Sequence, residues 1–136
     1  MDTPSLEERV QNAVVAKMEQ NTDLMDLVTG IFDEVPSEQD YPYIQIGDMV
    51  TTDASTYTRS KWDIDMDIKC FDKPAGLGYK TVNRIAGLVY NNLHEQTISV
   101  DGDFTIVGCK FVNSNRFRIG DTRQVTITFL VYVEST

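Results

Sequence analysis

The chain has 136 residues, a formal net charge of −9 and 41% hydrophobic residues, so we expect one domain over residues 1–136 with a sizeable core. No apolar run approaches the roughly 18 residues of a membrane helix, and the acidic start MDTPSLEER is unlike a secretory signal. Residues 1–40 hold ten acidic residues against Arg9 and Lys17, and such a balance argues against unaided binding to a phosphate backbone.

The first predicted elements are two helices. Ser5-x-x-Glu8 has the spacing of a capping box, and Pro4 suits a helix start. Apolar residues then recur at helical spacing, which predicts a helix over about 5–20. A shorter helix is expected over 23–29, with Gly30 ending it as a C-terminal glycine would.

The next stretch predicts strands. Residues 31–36 indicate a short strand or bend, and residues 41–47 a strand with Pro42 near its start. Residues 51–60 show neither a helical nor a strand period, so we expect a long exposed hairpin loop there. Residues 61–71, KWDIDMDIKCF, alternate strictly between apolar and polar side chains, which predicts a strand with one buried face.

The second half predicts a helix and three strands. The helical period returns over 75–94, and a hairpin with an Asp-Gly turn follows over 97–112. Residues 113–115 are expected to start a loop, and QVTITFLVYVE, residues 124–134, is the last strand. The order predicts an α+β fold, with an antiparallel sheet covered on one face by the N-terminal and central helices.

The three aspartates of the alternating strand raise the question of a metal site. An EF-hand loop with Asp63, Asp65 and Asp67 at its positions 1, 3 and 5 needs glycine at position 6 and glutamate at position 12. Ile68 and Pro74 stand there instead. We therefore expect the aspartates to face water, to pair with cations or to line a subunit boundary. A small acidic domain that binds divalent metal remains the alternative.

Other motifs give no sign of catalysis. Residues 76–81 lack the glycine spacing of a phosphate-binding loop. His94 is the only histidine, which makes a zinc site improbable. Cys70 and Cys109 lie in apolar runs and are expected to be buried free thiols. We expect no catalytic residue, no metal and no cofactor, and hence a binding or assembly module.

The only basic cluster lies towards the C-terminus. This segment contains a single acidic residue, Asp121, among four basic ones: Lys110, Arg116, Arg118 and Arg123. This cluster is either a solvated loop or a docking surface for an acidic partner. The acidic N-terminal region of an adjacent subunit would be such a partner.

The order of elements resembles a known family. A helix is followed by Gly30-Ile31-Phe32, Val35-Pro36 and Pro42-Tyr43-Ile44 running to Gly47. This pattern, with the strand and helix after it, resembles the tail-completion or tail-terminator proteins of long-tailed bacteriophages over nearly the whole chain. The resemblance implies an α+β subunit that forms a hexameric ring, caps the tail tube and joins it to the head connector. DNA would pass through the ring without specific binding, and no catalysis, cofactor or membrane is implied.

The resemblance also implies candidate subunit-interface or lumen residues. These are Asp63, Asp65, Asp67, Arg116, Arg118, Arg123, Tyr57 and Arg59. The aspartates would line the channel or meet the arginines of a neighbouring subunit, and the 51–60 loop would contact a subunit or the tube. The expected location is the tail or neck of a virion assembled in the host cytoplasm. Other ring components of the neck or tail tube, such as head-completion or stopper proteins, have similar folds and remain the alternative.

Overall fold

The computed structural model describes residues 5–74 and 78–136. Its elements are α1 (Leu6–Glu19), α2 (Thr22–Leu27), β1 (Ile31–Phe32), β2 (Tyr43–Asp53), β3 (Lys61–Asp72), α3 (Lys80–Leu93), β4 (Ile98–Ser99), β5 (Phe104–Ile119) and β6 (Thr122–Ser135). The mixed α+β class is as expected. Pro4, and the first residues of the helix and loop expected from position 75, lie outside the described residues. α3 itself begins at Lys80.

Side-chain caps determine where the first two helices begin. The Ser5 hydroxyl accepts a hydrogen bond from the amide of Glu8 at 3.2 Å, as the capping-box spacing predicted. The Asn21 side chain accepts one from the amide of Leu24 at 3.1 Å. Each cap satisfies an amide that has no partner within its helix.

Gly30 is not the left-handed helix terminator that the sequence suggested. Among the described glycines only Gly120, at the β5–β6 turn, has a positive φ. A Cβ atom added to Gly30 would instead come within 2.7 Å of the Phe32 ring. The Phe32 ring packs closely against this main chain, so any side chain at position 30 would have to displace the ring.

The six strands form one sheet in the order β1-β2-β3-β6-β5-β4. All neighbours are antiparallel except β1 and β2, which are parallel, so the expected antiparallel sheet needs this one correction. β2 carries a bulge between Ile46 and Met49. At this bulge a Cβ atom on Gly47 would lie only 3.1 Å from the Asp67 Cβ and 3.2 Å from its carbonyl oxygen.

Two connections differ from their expected form. β2 runs on to Asp53, so the exposed connection to β3 is residues 54–60 rather than 51–60. Residues 113–119 continue β5 and are not a loop. The long hairpin is therefore formed by β5 and β6, and it turns at residues 120–121. Its outer part forms because every residue from Asn113 to Ile119 pairs with a residue of β6.

One face of the sheet shares its core with the helices. The core cluster includes Val10, Val14 and Met18 of α1, Val82, Ile85, Val89 and Leu93 of α3, Ile64, Met66, Ile68 and Cys70 of β3, and Val125, Ile127, Phe129, Val131 and Val133 of β6. The intervening strand residues face away from this core and form what we call the polar sheet face. None of the helices in the described ranges is long and apolar enough to cross a membrane.

Candidate functional site

Three carboxylates lie in a row on the polar sheet face. Asp63, Asp65 and Asp67 alternate with buried core residues along β3, as the sequence predicted, and Asp65 is the most exposed of them. Asp67 accepts a hydrogen bond from the hydroxyl of Thr128 on β6 at 2.7 Å. Within the described ranges none of the three has a lysine, arginine or histidine nitrogen within 4.0 Å. None of the three aspartates therefore forms an ion pair within the described part of the subunit, although Lys61 and Lys69 lie on the same face, two residues beyond either end of the row.

The spacing of these carboxylates does not suit chelation. Residues two apart in a strand lie about 7 Å from each other, whereas oxygens that share one calcium ion each lie about 2.3–2.6 Å from it. No group of three or more His, Cys, Asp or Glu residues that could hold a metal ion occurs among residues 5–74 and 78–136. The row acts as an extended negative surface.

Three arginines surround one tyrosine ring at the other end of the sheet. The guanidinium carbons of Arg116, Arg123 and Arg118 lie 4.6, 5.5 and 5.9 Å from the centre of the Tyr79 ring. Tyr79 immediately precedes α3 and faces the β5–β6 hairpin. Sequence reasoning missed Tyr79, because only the fold brings it to arginines that lie 37 to 44 positions further along the chain. The ring holds like charges together through cation–π contacts.

Arg123 is a buried residue, which corrects its expected place in an exposed docking cluster. Its side chain is only 2% exposed, and it donates hydrogen bonds to the carbonyl oxygens of Gly120 at 3.1 Å and Thr122 at 3.4 Å. Asp72, which stands opposite it on β3, is also buried. The burial follows from position: Arg123 falls on the core side of β6, in line with Val125. It stabilises the hairpin and is not available to a neighbour.

Arg116 and Arg118 remain exposed on β5 and alternate with two exposed apolar residues. Phe117 is 46% exposed and Ile119 is 64% exposed, and both point to the polar sheet face. Sequence reasoning missed these two because it treated the segment as a loop. The signal was present in the order Arg-Phe-Arg-Ile, which alternates as strands do.

The 54–60 connection lies at the far end of the sheet from the arginines. Tyr57 is fully exposed, while Arg59 is held by an ion pair of 3.1 Å between its guanidinium nitrogen and Glu134 of β6. The amide of Ser55 donates to the Asp53 carboxylate at 2.9 Å, and hydrogen bonding from Ser55 lowers the pKa of Asp53. The loop is thus anchored at both ends, and its tip is free to contact another molecule.

The candidate residues therefore occupy three separate places. The aspartates lie along the middle of β3, the exposed arginines near the hairpin turn, and Tyr57 and Arg59 at the opposite end of the strands. Within one subunit the aspartates and the exposed arginines do not meet. Any contact between them requires a second molecule.

Comparison with known proteins identifies a family and a shared fold. The sequence profile of the family described as "Tail completion protein gp17" matches residues 12–134. A chain from the structure entitled "Virion of native gene transfer agent (GTA) particle" superposes with a TM-score of 0.85 at 24% sequence identity, and the match covers 97% of this chain and 99% of that chain. At this identity the likeness shows a shared fold. No curated protein matches the chain significantly.

Proposed function

The chain belongs to the tail completion protein gp17 family, and from this premise we propose that it is a structural tail protein of a virion that forms a ring of six subunits. The ring closes the finished tail tube and joins it to the head connector, with DNA passing through its centre. The observation that carries the proposal is the family match over residues 12–134, and the fold shared with a gene transfer agent virion chain supports it. The protein would assemble in the host cytoplasm, with no reaction and no cofactor.

The polar sheet face suits the lining of a DNA channel. Asp63, Asp65 and Asp67 form no ion pair with any described residue of the subunit. With the flanking Lys61 and Lys69 this face of β3 keeps a negative net charge, which six subunits would repeat around the lumen. Phosphates repel such a wall within a Debye length of about 8 Å at physiological ionic strength. Weak repulsion lets DNA slide, because binding would require cations to neutralise its phosphates.

The remaining candidates suit contacts with other subunits and virion proteins. Arg116 and Arg118 expose cations near the hairpin turn, and Tyr57 lies at the free tip of the 54–60 loop. We assign the two arginines to a subunit contact. We assign Tyr57 and Arg59, which lie at the other end of the strands, to the tail-tube protein or the head connector.

The test is deletion of the gene from the genome that encodes it, with complementation from a plasmid. We expect the deletion to yield DNA-filled heads and separate tails, and the complemented particles to show ring density at the head-proximal end of the tube in cryo-electron microscopy. Intact infectious particles from the deletion would refute the proposal. Ring density on the connector, away from the tube end, would assign the chain to the related stopper position instead.

A further inference from the structure

The outer half of β5 has an unoccupied edge. Upstream, this edge is covered, since the amide of Glu95 donates to the carbonyl of Cys109 at 2.7 Å and the amide of Phe111 donates to the His94 ring at 3.3 Å. Residues 113–119 pair with β6 on one side only, with Val112 in a bulge before them, and no other described residue pairs with the main chain of 112–119. An unpaired edge of this length is a template for another strand.

The sheet has a second free edge of similar length on β2. β1 covers β2 only at Ile44 and Gln45. Residues 49–53 pair with β3 on one side, with Gly47 and Asp48 in the bulge before them, and in the described part of the chain no strand lies on the other side. The sheet therefore ends in two free segments, one of eight residues and one of seven.

The side chains of the two free edges are complementary. Seven large hydrophobic residues are exposed in the described chain, and four of them lie on these edges: Val50 on β2 and Val112, Phe117 and Ile119 on β5. The charges have opposite sign, because β5 carries Arg116 and Arg118 whereas β2 carries Asp48 and Asp53. Exposed apolar residues and opposite charges at two open edges are what a mutual contact requires.

We infer that the two edges pair between copies of the chain, with residues 112–119 of one subunit adding to residues 47–53 of the next. Each step from β2 through β3 and β6 to β5 reverses the strand direction. A neighbour in the same orientation thus presents its β2 antiparallel to β5, the arrangement that hairpin-rich sheets use. This inference rests on the proposed ring and identifies the surface that closes it.

The register between β5 of one subunit and β2 of the next is limited by which side chains point to the core and which to the polar sheet face. Arg116 lies on the core side opposite Val125, and Asp53 lies on the core side opposite Trp62, whereas Phe117 and Val50 point to the polar face. Placing Phe117 opposite Val50 keeps both faces continuous. Arg116 is then diagonal to Asp53, at about 7–8 Å between strand positions, a distance that a long side chain bridges.

The geometry of this register matches that of a closed ring of strands. Within one subunit a row of paired residues crosses the sheet from Phe117 on β5 to Tyr43 on β2: Phe117 pairs with Gln124, Gln124 with Phe71, and Phe71 with Tyr43. Val50 is seven positions beyond Tyr43, of which the bulge absorbs one, so each subunit is displaced along the strands by about six residues or about 20 Å. Four strands per subunit span about 19 Å across the sheet. The resulting tilt of about 45° falls at the upper end of the range of about 35–45° that closed sheets adopt.

Cross-linking in assembled particles tests the contact directly. In particles complemented with Phe117→Cys/Val50→Cys, we expect a ladder of disulfide-linked multimers on non-reducing gels, and none from either single cysteine variant. The native Cys70 and Cys109 are buried and should add no background. Particles that contain the double variant but give no ladder would overturn the inference.

A charge swap gives a second, independent readout if the cysteine variants do not assemble. Arg116→Glu and Asp53→Arg should each lower particle yield at least tenfold, and the two changes together should restore most of it. Lys110→Glu is the matched control, since Lys110 is exposed on the same strand but lies upstream of the free edge. Normal yield from both single variants, or a double variant as poor as either one, would overturn the inference.

The two hypotheses fail in different ways. Absence of the wild-type protein from purified particles would refute the proposed tail function. If the wild-type protein is incorporated but neither the cross-link nor the charge swap responds as expected, only the strand contact is wrong.

Discussion

Replacing Arg123 by methionine should destabilise the fold far more than the same change at Arg116 or Arg118, although all three surround the Tyr79 ring. Methionine keeps most of the apolar stem but removes the guanidinium. Arg123 would lose its hydrogen bonds to the carbonyls of Gly120 and Thr122, and bonds to a charged donor contribute about 1.5–3 kcal/mol each.

One further term raises the expected loss at Arg123. Its contact with the Tyr79 ring at 5.5 Å adds about 0.5–2 kcal/mol. From the two hydrogen bonds and the ring contact together we expect a loss of about 3–5 kcal/mol. Arg116 and Arg118 are exposed, so each should lose only about 0.5–1 kcal/mol.

Urea unfolding followed by Trp62 fluorescence is a suitable assay. Trp62 is the only tryptophan and packs edge-on against Phe104 at 5.4 Å, so unfolding changes its surroundings. With a slope of about 2 kcal/mol per molar urea, the Arg123→Met midpoint should fall by about 2 M. A loss below about 1 kcal/mol, or equal losses for Arg123→Met and Arg118→Met, would refute the reasoning. A double-mutant cycle with Tyr79→Leu would measure the ring contact separately.

Four further predictions concern stability and exposure. Gly47→Ala should destabilise the fold by about 1–3 kcal/mol, because its Cβ crowds the Asp67 main chain. Gly87→Ala, where nothing lies within 4 Å, should stabilise α3 by up to about 1 kcal/mol; thermal melts that reverse this order would contradict the packing argument. Burial raises the pKa of Cys70 to about 12 and of Cys109 to about 11. The thiols of the unfolded chain ionise near their ordinary pKa of about 8.5, whereas those of the folded chain stay protonated. The free energy of unfolding should therefore be constant below that pH and should fall between about pH 9 and 11. Urea titrations at several pH values should show a smaller slope in Cys70→Val, and an unchanged slope would count against this origin. Residues 57–60 should exchange amide hydrogens rapidly in the free protein and slowly in assembled particles, and equal rates would show that the loop makes no contact.

The sequence predicted the elements whose signals are local. The N-terminal helix carries its own cap at Ser5 and an apolar stripe, and the strand over 61–71 shows strict alternation. In both cases the period along the chain determines the buried face, so no knowledge of the partners was needed. Residues 124–134 were predicted for the same reason.

The outer half of β5 could not be predicted in this way. Residues 113–119 are exposed on both faces, so the alternation of burial that marks a strand is absent from most of them. They are extended because β6 pairs with them, and that pairing is a tertiary interaction. The burial of Arg123 has the same origin, since an arginine enters the core only when the fold supplies polar atoms and a ring around it.

The candidate site was predicted only in part. The aspartates of β3 were placed on one face by alternation alone, and their surface position was correctly expected. The free edges on β2 and β5 are properties of the strand order, because they exist only where β1 and β4 stop. No local pattern of residues reports where a neighbouring strand ends.

The order Arg116-Phe117-Arg118-Ile119 also determines which strand edges can pair between copies of the chain. If two β5 edges met about a two-fold axis at Phe117, Arg116 of each would stand opposite Arg118 of the other, and like charges directly opposite are destabilising. The arginines of this segment thus disfavour pairing of two β5 edges, and with it fibre growth, while they still allow pairing with an acidic edge. Added salt weakens this repulsion. Ionic strength should therefore determine how long a purified subunit stays soluble before it finds its place in an assembly.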